Sequence, residues 1–396
     1  MHEVFADLHV HIGKSEAGKP IKITAAKSLT FANIAHECAN RKGINIVGII
    51  DCHSPYVISD IESFLASGGA YEIADGGIIY KDLVCILLGS EIETSEINEK
   101  GKTGTAHSIC FFPHLEDIKG FSNEMKKHIK NITLSSQRAN ISAYQLIDIV
   151  EKYNGCLIPA HCFTPHKSFY GNCTDRLSKI FKEKFDKIIA IELGLSADTF
   201  LADSLSELEK KTFITNSDAH SLPKIAREYN KLLIEDISYK EVIKALKKEE
   251  GRNIYANYGL DPKLGKYHRT YCETCEKNIK GNPPVSICDA CDSKNIAMGV
   301  LDRIEIIKDK EKSISPKDRP QYIYQIPLSF IPGLGNKNME KLLNVFETEM
   351  NILHKVSLDD LEGVVGEKLA KNIIDARAGN VTISEGGGGV YGKLNI

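Results

Sequence analysis

Short apolar runs alternate with helix-like stretches along the first 260 residues of the chain. Residues 4–12 alternate between apolar and polar side chains, as in a strand with one polar face. Residues 30–42 and 142–153 have helical periodicity, and each stretch ends near a glycine. Further apolar runs predict buried strands at residues 44–50, 83–89, 106–112, 156–160, 188–194 and 211–215. This alternation favours an α/β domain with a mainly parallel sheet.

Histidine or carboxylate side chains stand at the ends of one predicted strand after another. Besides Glu192, which also lies near a strand end, this set consists of His9, His11, His53, Glu91, His107, His161, Asp218 and His220. In a parallel barrel the carboxyl ends of the strands converge on one face, so most of these side chains are expected to meet there. Each one alone is typical of a core or loop residue, but together they predict a metal centre, since zinc binds imidazole nitrogen and carboxylate oxygen.

The number of these side chains exceeds what one tetrahedral ion needs, so two or three ions are predicted. Divalent ions a few ångströms apart suit the hydrolysis of phosphate esters, because one activates water and another stabilises the leaving oxygen. No separate Ser-His-Asp or Cys-His arrangement is needed, and the sequence does not suggest one.

Length and composition describe a globular protein of more than one domain. A chain of 396 residues is too long for one ordinary core, and its 42% apolar and 26% charged residues are usual for a soluble protein. Its apolar runs are shorter than the ~18 residues that a membrane span needs. The first residues lack the features of a secretory signal, so a cytoplasmic protein is expected. A net charge of −3 does not point to a polyanionic partner, so any contact with nucleic acid must come from local geometry.

The eleven cysteines predict thiols and metal ligands rather than disulfides in such a protein. Seven are scattered through apolar runs and are expected to fill the core. The other four, Cys272, Cys275, Cys288 and Cys291, have the spacing of a closed structural zinc site. A zinc ribbon is therefore predicted within residues 261–318, and the charged residues 305–319 are expected to be a linker.

Aromatic and basic residues directly precede the first cysteine pair. Two interpretations stay open for them: they face nucleic acid, or they pack onto the zinc ribbon. They are Tyr267, His268, Arg269 and Tyr271.

A glycine hairpin followed by a helix occurs twice near the C-terminus. Residues 331–346 resemble a helix-hairpin-helix DNA-binding motif, and residues 358–374 resemble a degenerate second copy. Glycines allow such a hairpin to approach a phosphate, towards which backbone amides and the following helix N-terminus point. The candidate DNA-binding residues are Gly333, Gly335, Lys337, Lys341, Gly366 and Lys368. Residues 319–396 are thus predicted to form an all-α domain. The glycine-rich residues 385–396 are predicted to be a flexible tether with a short apolar end, and two alternatives stay open for it: it packs back on the body, or it holds a partner.

The strand-end motifs resemble those of the PHP (polymerase and histidinol phosphatase) family. They are Asp7-Leu-His9-Val-His11, Gly89-Ser-Glu91, His107, Ala160-His161 and Ser217-Asp218-Ala-His220. The resemblance implies an α/β fold for residues 1–260: a PHP-type distorted β/α barrel of seven strands with a trinuclear metal site. In it His9, His11, Glu91 and Asp218 would share one ion, Glu91 would bridge to an ion at His107 and His161, and His53 and His220 would hold the third. Zn²⁺ is the expected ion, with Mg²⁺ or Mn²⁺ as alternatives.

The chain departs from the family motifs at two places. Where the family usually has Thr-Asp-His, this chain has Ile50-Asp51-Cys52-His53, so Asp51 or His53 could be the ligand, and His53 is favoured. The family's further ligand after the first motif has no clear counterpart, and Glu16 is the nearest candidate.

The order of PHP barrel, four-cysteine zinc ribbon and all-α helix-hairpin-helix domain resembles the endonuclease Q family along essentially the whole chain. The resemblance implies a cytoplasmic, nucleoid-associated DNA-repair enzyme that acts on double-stranded DNA. It would nick on the 5′ side of uracil, hypoxanthine, xanthine or an abasic site, leaving 3′-hydroxyl and 5′-phosphate ends. From the position of their loops, which leave the face that carries the metals, a lesion pocket is predicted at the barrel mouth, lined by Phe163, Phe169, Tyr170, Leu193 and Gly194. The equal alternative is that the aromatic residues pack under a lid.

The alternative function is that of a PHP-family phosphatase acting on histidinol phosphate or a nucleotide. That function would leave the zinc ribbon and the hairpins without a role. The sequence does not indicate a replication-clamp or other repair partner.

Overall fold

The computed structural model describes residues 1–98 and 101–395, so Ile396 at the end of the predicted tail lies outside the described residues. The strands are β1 (His2–Val10), β2 (Ile46–Ile49), β3 (Ala70–Glu72), β4 (Ile78–Tyr80), β5 (Val84–Ile97), β6 (Thr103–Phe112), β7 (Cys156–Pro159), β8 (Ala190–Glu192), β9 (Thr212–Ile214), β10 (Tyr229–Ile234), β11 (Asn253–Gly259), β12 (Tyr271–Cys272), β13 (Lys277–Asn278), β14 (Ile296–Ala297), β15 (Gln321–Tyr324), β16 (Thr382–Ser384) and β17 (Lys393–Asn395).

The α-helices are α1 (Phe31–Glu37), α2 (Pro55–Ala66), α3 (Leu115–Met125), α4 (Ala143–Lys152), α5 (Leu177–Phe181), α6 (Thr199–Ala202), α7 (Tyr239–Lys247), α8 (Val300–Ile307), α9 (Asn336–Phe346), α10 (Glu349–His354), α11 (Leu358–Val365) and α12 (Glu367–Ala378). Helical turns of other pitch occur at Cys38–Lys42, Phe169–Cys173, Lys182–Lys187, Ser206–Leu208, Leu222–Lys224, Pro262–Leu264 and Leu328–Phe330.

Seven strands surround one core in a distorted barrel. β1, β2 and β5 are parallel neighbours, β6 joins β5 to β7, and β8 pairs with β9. A hydrogen bond from Cys162 N to Glu192 O links the loop after β7 to the end of β8, and a bridge between Val10 and Ala219 connects the loop after β9 to β1. One buried apolar cluster contains side chains of all seven strands. The predicted barrel is therefore confirmed.

The prediction of a mainly parallel sheet is correct for β1, β2 and β5 and for β8 and β9, but β6 is antiparallel to both neighbours. Five residues separate Ile97 at the end of β5 from Thr103 at the start of β6. So short a connection makes a hairpin, because a parallel crossover needs about a dozen residues or more.

The barrel sheet extends on one side into the C-terminal third of the chain. β10 pairs with β1, β11 with β10, and β15 with β11. β15 lies within the residues predicted to begin an all-α domain, so that part of the prediction is wrong. The predicted linker also needs correction: it begins within α8, and its last residue, Arg319, is buried against Asp203 of the barrel.

The helices α9–α12 form the two predicted hairpins and pack against the barrel through charged contacts. The Arg41 guanidinium donates to both carboxylate oxygens of Glu340, at 2.7 and 3.1 Å. Lys42 is buried, and its Nζ lies 2.7 Å from Oε1 of Glu349. These contacts fix the hairpins relative to the barrel.

The glycine-rich tail folds back rather than forming a flexible tether. β16 and β17 pair as an antiparallel hairpin, and Gly387 forms a bridge with Arg269 at the start of the zinc ribbon. The hydroxyl of Tyr391 accepts a hydrogen bond of 2.8 Å from Arg227 of the barrel. For its described residues the tail thus packs back on the body, and the prediction of a flexible tether is wrong.

The helices of the described chain are too short or too polar to cross a membrane.

We expect Arg319→Leu to destabilise the protein by about 3–5 kcal/mol, because it leaves Asp203 buried without its partner. The Arg319 Nη2 atom lies 2.7 Å from Asp203 Oδ1, and both side chains are almost fully buried. Thermal and urea unfolding would measure the loss. Lys317→Ala, at an exposed position two residues away, is the control and should change stability by less than about 0.5 kcal/mol. Equal stability of the two variants would contradict a structural role for the pair.

Candidate metal centre

The two histidines of β1 and its end each have a carboxylate behind the ring. Nδ1 of His9 lies 2.9 Å from Oε1 of Glu192, and Nδ1 of His11 lies 3.0 Å from Oδ2 of Asp51. Such carboxylates fix the ring orientation and leave Nε2 to bind a metal. Nε2 of His9 is buried without a hydrogen-bond partner, and Nε2 of both histidines lies 3.5–3.6 Å from Oδ1 of Asp218. His9, His11 and Asp218 thus form one group that fits a metal ion.

Asp218 lies on the loop after β9, and Asp7 holds that loop in place. The two carboxylate oxygens of Asp7 accept hydrogen bonds from the backbone N–H groups of Ser217 and Ala226, at 3.1 and 2.8 Å. Asp7 is therefore used to anchor the loop. Asp218 itself has a φ of 45°, a left-handed conformation that is costly for a residue with a side chain.

Glu91, on β5, stands between two groups of potential ligands. Its Oε1 lies 2.8 Å from Nδ1 of His107, and 3.3 Å from Nε2 of His161. These three residues form the second group that fits a metal ion. Glu91 Oε1 is also 3.6 Å from Nε2 of His9, and Oε2 is 3.6 Å from Nε2 of His11. This central position suits a carboxylate that bridges two ions.

The position of His161 depends on a glycine. His161 has a φ of 29°, and a Cβ built on Gly194 would lie 2.9 Å from the Cβ of His161. Gly194 also has a φ of 80°, which favours glycine at that position. The backbone N–H of His161 donates to Oε2 of Glu192 at 2.8 Å, so Glu192 orients both His9 and His161.

Charge and burial together explain how the centre can bind cations. Burial acts to raise the pKa of Glu91, but the charges of His107 and Lys22 outweigh it and hold that pKa well below its ordinary value. Burial lowers the pKa of His9, but Glu192 outweighs this effect and raises it to about 10. Burial and Lys22 lower the pKa of His11 to about 4. The centre therefore contains ionised carboxylates, and a divalent ion that binds there would displace a proton from His9, since only a deprotonated imidazole nitrogen can be a ligand.

The residues predicted to hold a third ion are not gathered in the same way. Nδ1 of His53 lies 2.8 Å from Oγ of Ser90, and Nε2 of His220 lies 3.4 Å from Oδ1 of Asp218. In the described chain neither histidine belongs to a group of three mutually close ligand atoms. Asp51 supports His11, and the exposed Glu16 accepts a hydrogen bond from the backbone of α1.

The residues predicted to line a lesion pocket mostly lie in the core. Phe163, Phe169, Tyr170 and Leu193 are at most 1% exposed, and the rings of Phe163 and Tyr170 stack 5.0 Å apart. The prediction is therefore corrected for these four side chains, since they pack beneath the cavity wall. Gly194 does line the cavity over the metal centre.

That cavity has a volume of about 260 Å³, and its walls include Lys266 and Tyr267, which precede the zinc ribbon. Lysines and aromatic rings surround the ligands in it, including Lys22, Lys167, Lys266, His166 and Tyr267. A second cavity of similar volume adjoins it, and His166 and Tyr267 line both cavities. Its other walls are Pro165, Arg269, Tyr271, Glu273, Ala297, Met298, Gly299, Gly388 and Gly389. The residues before the zinc ribbon thus contribute to both cavities.

The four cysteines of the zinc ribbon have the geometry of a closed site. Sγ of Cys272 lies 3.6 Å from Sγ of Cys291, and the same distance separates Cys275 from Cys288. A tetrahedral zinc ion with Zn–S bonds of about 2.3 Å needs sulfurs roughly 3.8 Å apart. The four thiols therefore fit one structural zinc ion.

The two glycine hairpins lie side by side on the surface of the helical region. Gly335 and Gly366 directly precede α9 and α12, and a Cβ on either would meet open space. Gly333 and Gly366 line one cleft together with Lys368. The predicted residues Lys337 and Lys341 are exposed on α9. This surface offers backbone N–H groups and ammonium groups together.

Several residues of the site were not identified as functional from the sequence. Glu192 lies near the end of a predicted strand. This position could have identified it as part of the metal centre, because the carboxylates at other strand ends belong to that centre. Lys22 and Lys266 lie outside the motifs and were not singled out from the sequence. They line the cavity because of the fold.

The chain is similar to proteins from bacteria and archaea over its full length. The uncharacterised protein YqxK of Bacillus subtilis is 45% identical over 398 residues, with each chain covered to 100%. The crystal structure of the lesion-specific endonuclease Q of Pyrococcus furiosus matches with a TM-score of 0.83 at 31% identity. The match covers 100% of this chain and 96% of the Pyrococcus chain. An endonuclease Q bound to a 27-mer duplex with an abasic lesion at the active site has a TM-score of 0.84 at 31% identity, with coverage of 100% and 97%. No protein-family model matches the chain.

We expect Gly194→Ala to weaken metal binding by the Glu91, His107 and His161 group, because the added methyl group would displace His161. Metal content after dialysis and circular dichroism would separate this effect from unfolding. Gly18→Ala is a matched control, since Gly18 has a similar φ of 82° but open space around it. Equal metal content in the two variants would show that the contact does not position His161.

We expect stability to fall as the pH rises towards 8 because of Glu228, which lies beside the loop that carries Asp218. Burial raises the pKa of Glu228 to about 8, so its protonated form is favoured in the folded protein. The contribution of Glu228 to the free energy of unfolding is fully present below the ordinary pKa of about 4.3 and is lost as the pH rises through 8. Urea unfolding from pH 5 to pH 9 should show a smaller decline in Glu228→Gln, and an unchanged decline would contradict this.

Proposed function

The chain belongs to the endonuclease Q family, and we propose from this membership that it is a metal-dependent DNA endonuclease of DNA repair. It would nick duplex DNA on the 5′ side of uracil, hypoxanthine, xanthine or an abasic site and leave 3′-hydroxyl and 5′-phosphate ends. One family member binds a duplex with an abasic lesion at its active site, which supports the last of these substrates.

The observation that carries the proposal is the position of Glu91 between two groups of metal ligands in an open cavity. Bound there, two divalent ions would activate water and neutralise the charge of a phosphodiester. The protein supplies the geometry: Glu192 and Asp51 orient the rings of His9 and His11. Because these carboxylates are buried, the rings are fixed before the substrate binds.

Cationic side chains line the way to the centre. Lys22, Lys167 and Lys266 line the metal cavity, where they would attract the DNA backbone and place one phosphodiester over Glu91. The net charge of −3 gives no such attraction overall, so the local arrangement has to provide it.

The second cavity is a better candidate for the extruded nucleotide than the residues predicted from the sequence. It adjoins the metal cavity, and its walls carry the rings of His166, Tyr267 and Tyr271 beside the Arg269 side chain. Aromatic rings can stack on a base, and a guanidinium can donate to base oxygens. Extrusion costs roughly a few kcal/mol and least for a mispaired or damaged base, which favours lesions.

The hairpin surface would hold the duplex at its backbone. Its two glycine hairpins expose backbone N–H groups, and Lys337, Lys341 and Lys368 add charge. Such contacts carry no sequence information, which suits an enzyme that has to find a lesion in any sequence. The zinc ribbon is structural and places Tyr267 and Tyr271 at the cavities.

The test is cleavage of duplexes that contain one deoxyuridine, deoxyinosine, deoxyxanthosine or abasic site, with Mg²⁺, Mn²⁺ or Zn²⁺ added. We expect one nick, 5′ of the lesion, with a 3′-hydroxyl and a 5′-phosphate. An undamaged duplex should stay intact. Tyr267→Ala should slow cleavage by about tenfold, since base stacking is worth about 1–3 kcal/mol.

Tyr71→Ala is the matched control, because Tyr71 is exposed on β3 at the far edge of the barrel sheet. It should cleave at the wild-type rate. Release of phosphate from histidinol phosphate or a nucleotide, with every duplex left intact, would instead indicate a phosphatase.

A further inference from the structure

Three buried asparagines form a row that leads to the metal centre. They are Asn216 on the loop after β9, Asn230 on β10 and Asn257 on β11, and each is at most 1% exposed. Asn230 and Asn257 stand directly opposite each other in the sheet. Asparagine is disfavoured in strands, and a buried amide is costly unless it is hydrogen-bonded. Such a row in the core of a barrel therefore calls for a role beyond filling space.

Each of the three amides is bonded to a backbone group, which fixes its direction. The bonds join the N–H of Leu8 to Oδ1 of Asn216 (3.0 Å), the N–H of Thr215 to Oδ1 of Asn230 (2.9 Å) and Nδ2 of Asn257 to the carbonyl of Phe213 (3.0 Å). A backbone N–H can only donate and a carbonyl can only accept. The positions of oxygen and nitrogen in each side chain are therefore determined.

The hydrogen bonds between the side chains all run in the same direction. Nδ2 of Asn257 donates to Oδ1 of Asn230 at 2.9 Å, and Nδ2 of Asn230 donates to Oδ1 of Asn216 at 3.0 Å. Nδ2 of Asn216 then donates to Oε1 of Glu192 at 2.8 Å. Hydrogen bonds in such a chain polarise and strengthen one another. The asparagine chain thus ends in a strong donor to the Glu192 carboxylate.

Glu192 connects the two groups of metal ligands, and Asn216 supports it from outside both groups. Oε1 of Glu192 lies 2.9 Å from Nδ1 of His9, which belongs to the first group. Its Oε2 accepts from the N–H of His161, which belongs to the second group, at 2.8 Å. A carboxylate held only by these two residues would move with them. The bond from Asn216 ties it to the sheet instead.

We propose that the three asparagines are positioning residues for metal binding. They fix the Glu192 carboxylate, which in turn places His9 and His161. Carboxylates that support a ligand histidine are typically worth about 10–100-fold in metal affinity, and Asn216 acts one bond further out, so we expect the lower end of that range. The effect should decrease along the chain towards Asn257. The effect on metal affinity does not depend on the proposed function, and only a consequence for DNA cleavage rests on it.

The first experiment measures the affinity of the full-length protein for Mn²⁺, with zinc retained in the ribbon and no substrate present. The paramagnetic resonance signal of free Mn²⁺ reports binding at a temperature well below unfolding. Asn216→Ala should bind Mn²⁺ about tenfold more weakly than the wild type, and Asn257→Leu about threefold more weakly. Thermal unfolding of the metal-free variants measures their stability separately.

Thr212→Val is the matched control, because it removes a buried hydrogen bond that does not lead to Glu192. The Thr212 hydroxyl, on β9, donates to the carbonyl of Leu246 at 2.7 Å. This variant should unfold at a lower temperature but keep the wild-type Mn²⁺ affinity. Wild-type affinity in Asn216→Ala would show that the chain only stabilises the fold, and it would overturn the proposal. Should Asn216→Ala not fold, Asn257→Leu decides by the same criterion.

The second experiment separates positioning from direct contact with the substrate, since Asn216 also lines the metal cavity. Hydrolysis of bis(4-nitrophenyl) phosphate is followed in single turnovers as the Mn²⁺ concentration rises. The rate deficit of Asn216→Ala should be largest at low Mn²⁺ and shrink towards saturation, because the deficit arises from weaker metal binding. A deficit that stays the same at every Mn²⁺ concentration would indicate substrate contact and overturn the proposal.

Failure of this inference can be distinguished from failure of the proposed function. The Mn²⁺ affinities are measured without any substrate, and the diester reports hydrolysis without DNA. If the affinities change as stated while every lesion duplex stays intact, the proposed function fails and the inference stands. If lesion duplexes are nicked and the asparagine variants keep the wild-type affinity, the inference fails and the proposed function stands.

Discussion

A buried carboxylate surrounded by imidazoles is the constraint on which the rest of the site depends. Glu91 is 1% exposed and has His9, His11, His107 and His161 within 3.6 Å of its oxygens. Such a cluster is costly to bury unless each group has a partner of opposite charge or a cation. The supporting carboxylates and the glycine contact beside His161 follow from this need, because the ligand atoms have to be held close together before any ion binds.

The regions outside the barrel are attached to it at positions that bear on the site. Arg227 donates to the carbonyl groups of Ser217 and Asp218 and also to the hydroxyl of Tyr391, so the C-terminal hairpin contacts the loop that carries a metal ligand. The residues before the zinc ribbon line the metal cavity, while Lys42 and Glu349 fix the hairpins at another face. The hairpins and the barrel mouth are therefore held in a fixed relation to each other.

Much of the chemistry could be predicted from the sequence, because it follows from local patterns. The alternation in β1 placed His9 and His11 on one face, and cysteine spacing predicted the ribbon, whose sulfurs lie as zinc requires. The glycine hairpins were predicted in the same way. The buried rings of Phe163 and Tyr170 were misplaced in the prediction, because proximity to a motif does not tell which side of a loop faces the cavity.

Local patterns thus set the kinds of ligand, their order along the strands and the closed zinc site, since each depends on residues that are neighbours in the chain or separated by a regular period. The fold adds what no such pattern holds: Glu192 supports two ligands, β15 joins the barrel sheet and Lys22 reaches Glu91. These are contacts between distant segments, and the closure of the barrel brings them together. No spacing within the chain encodes them.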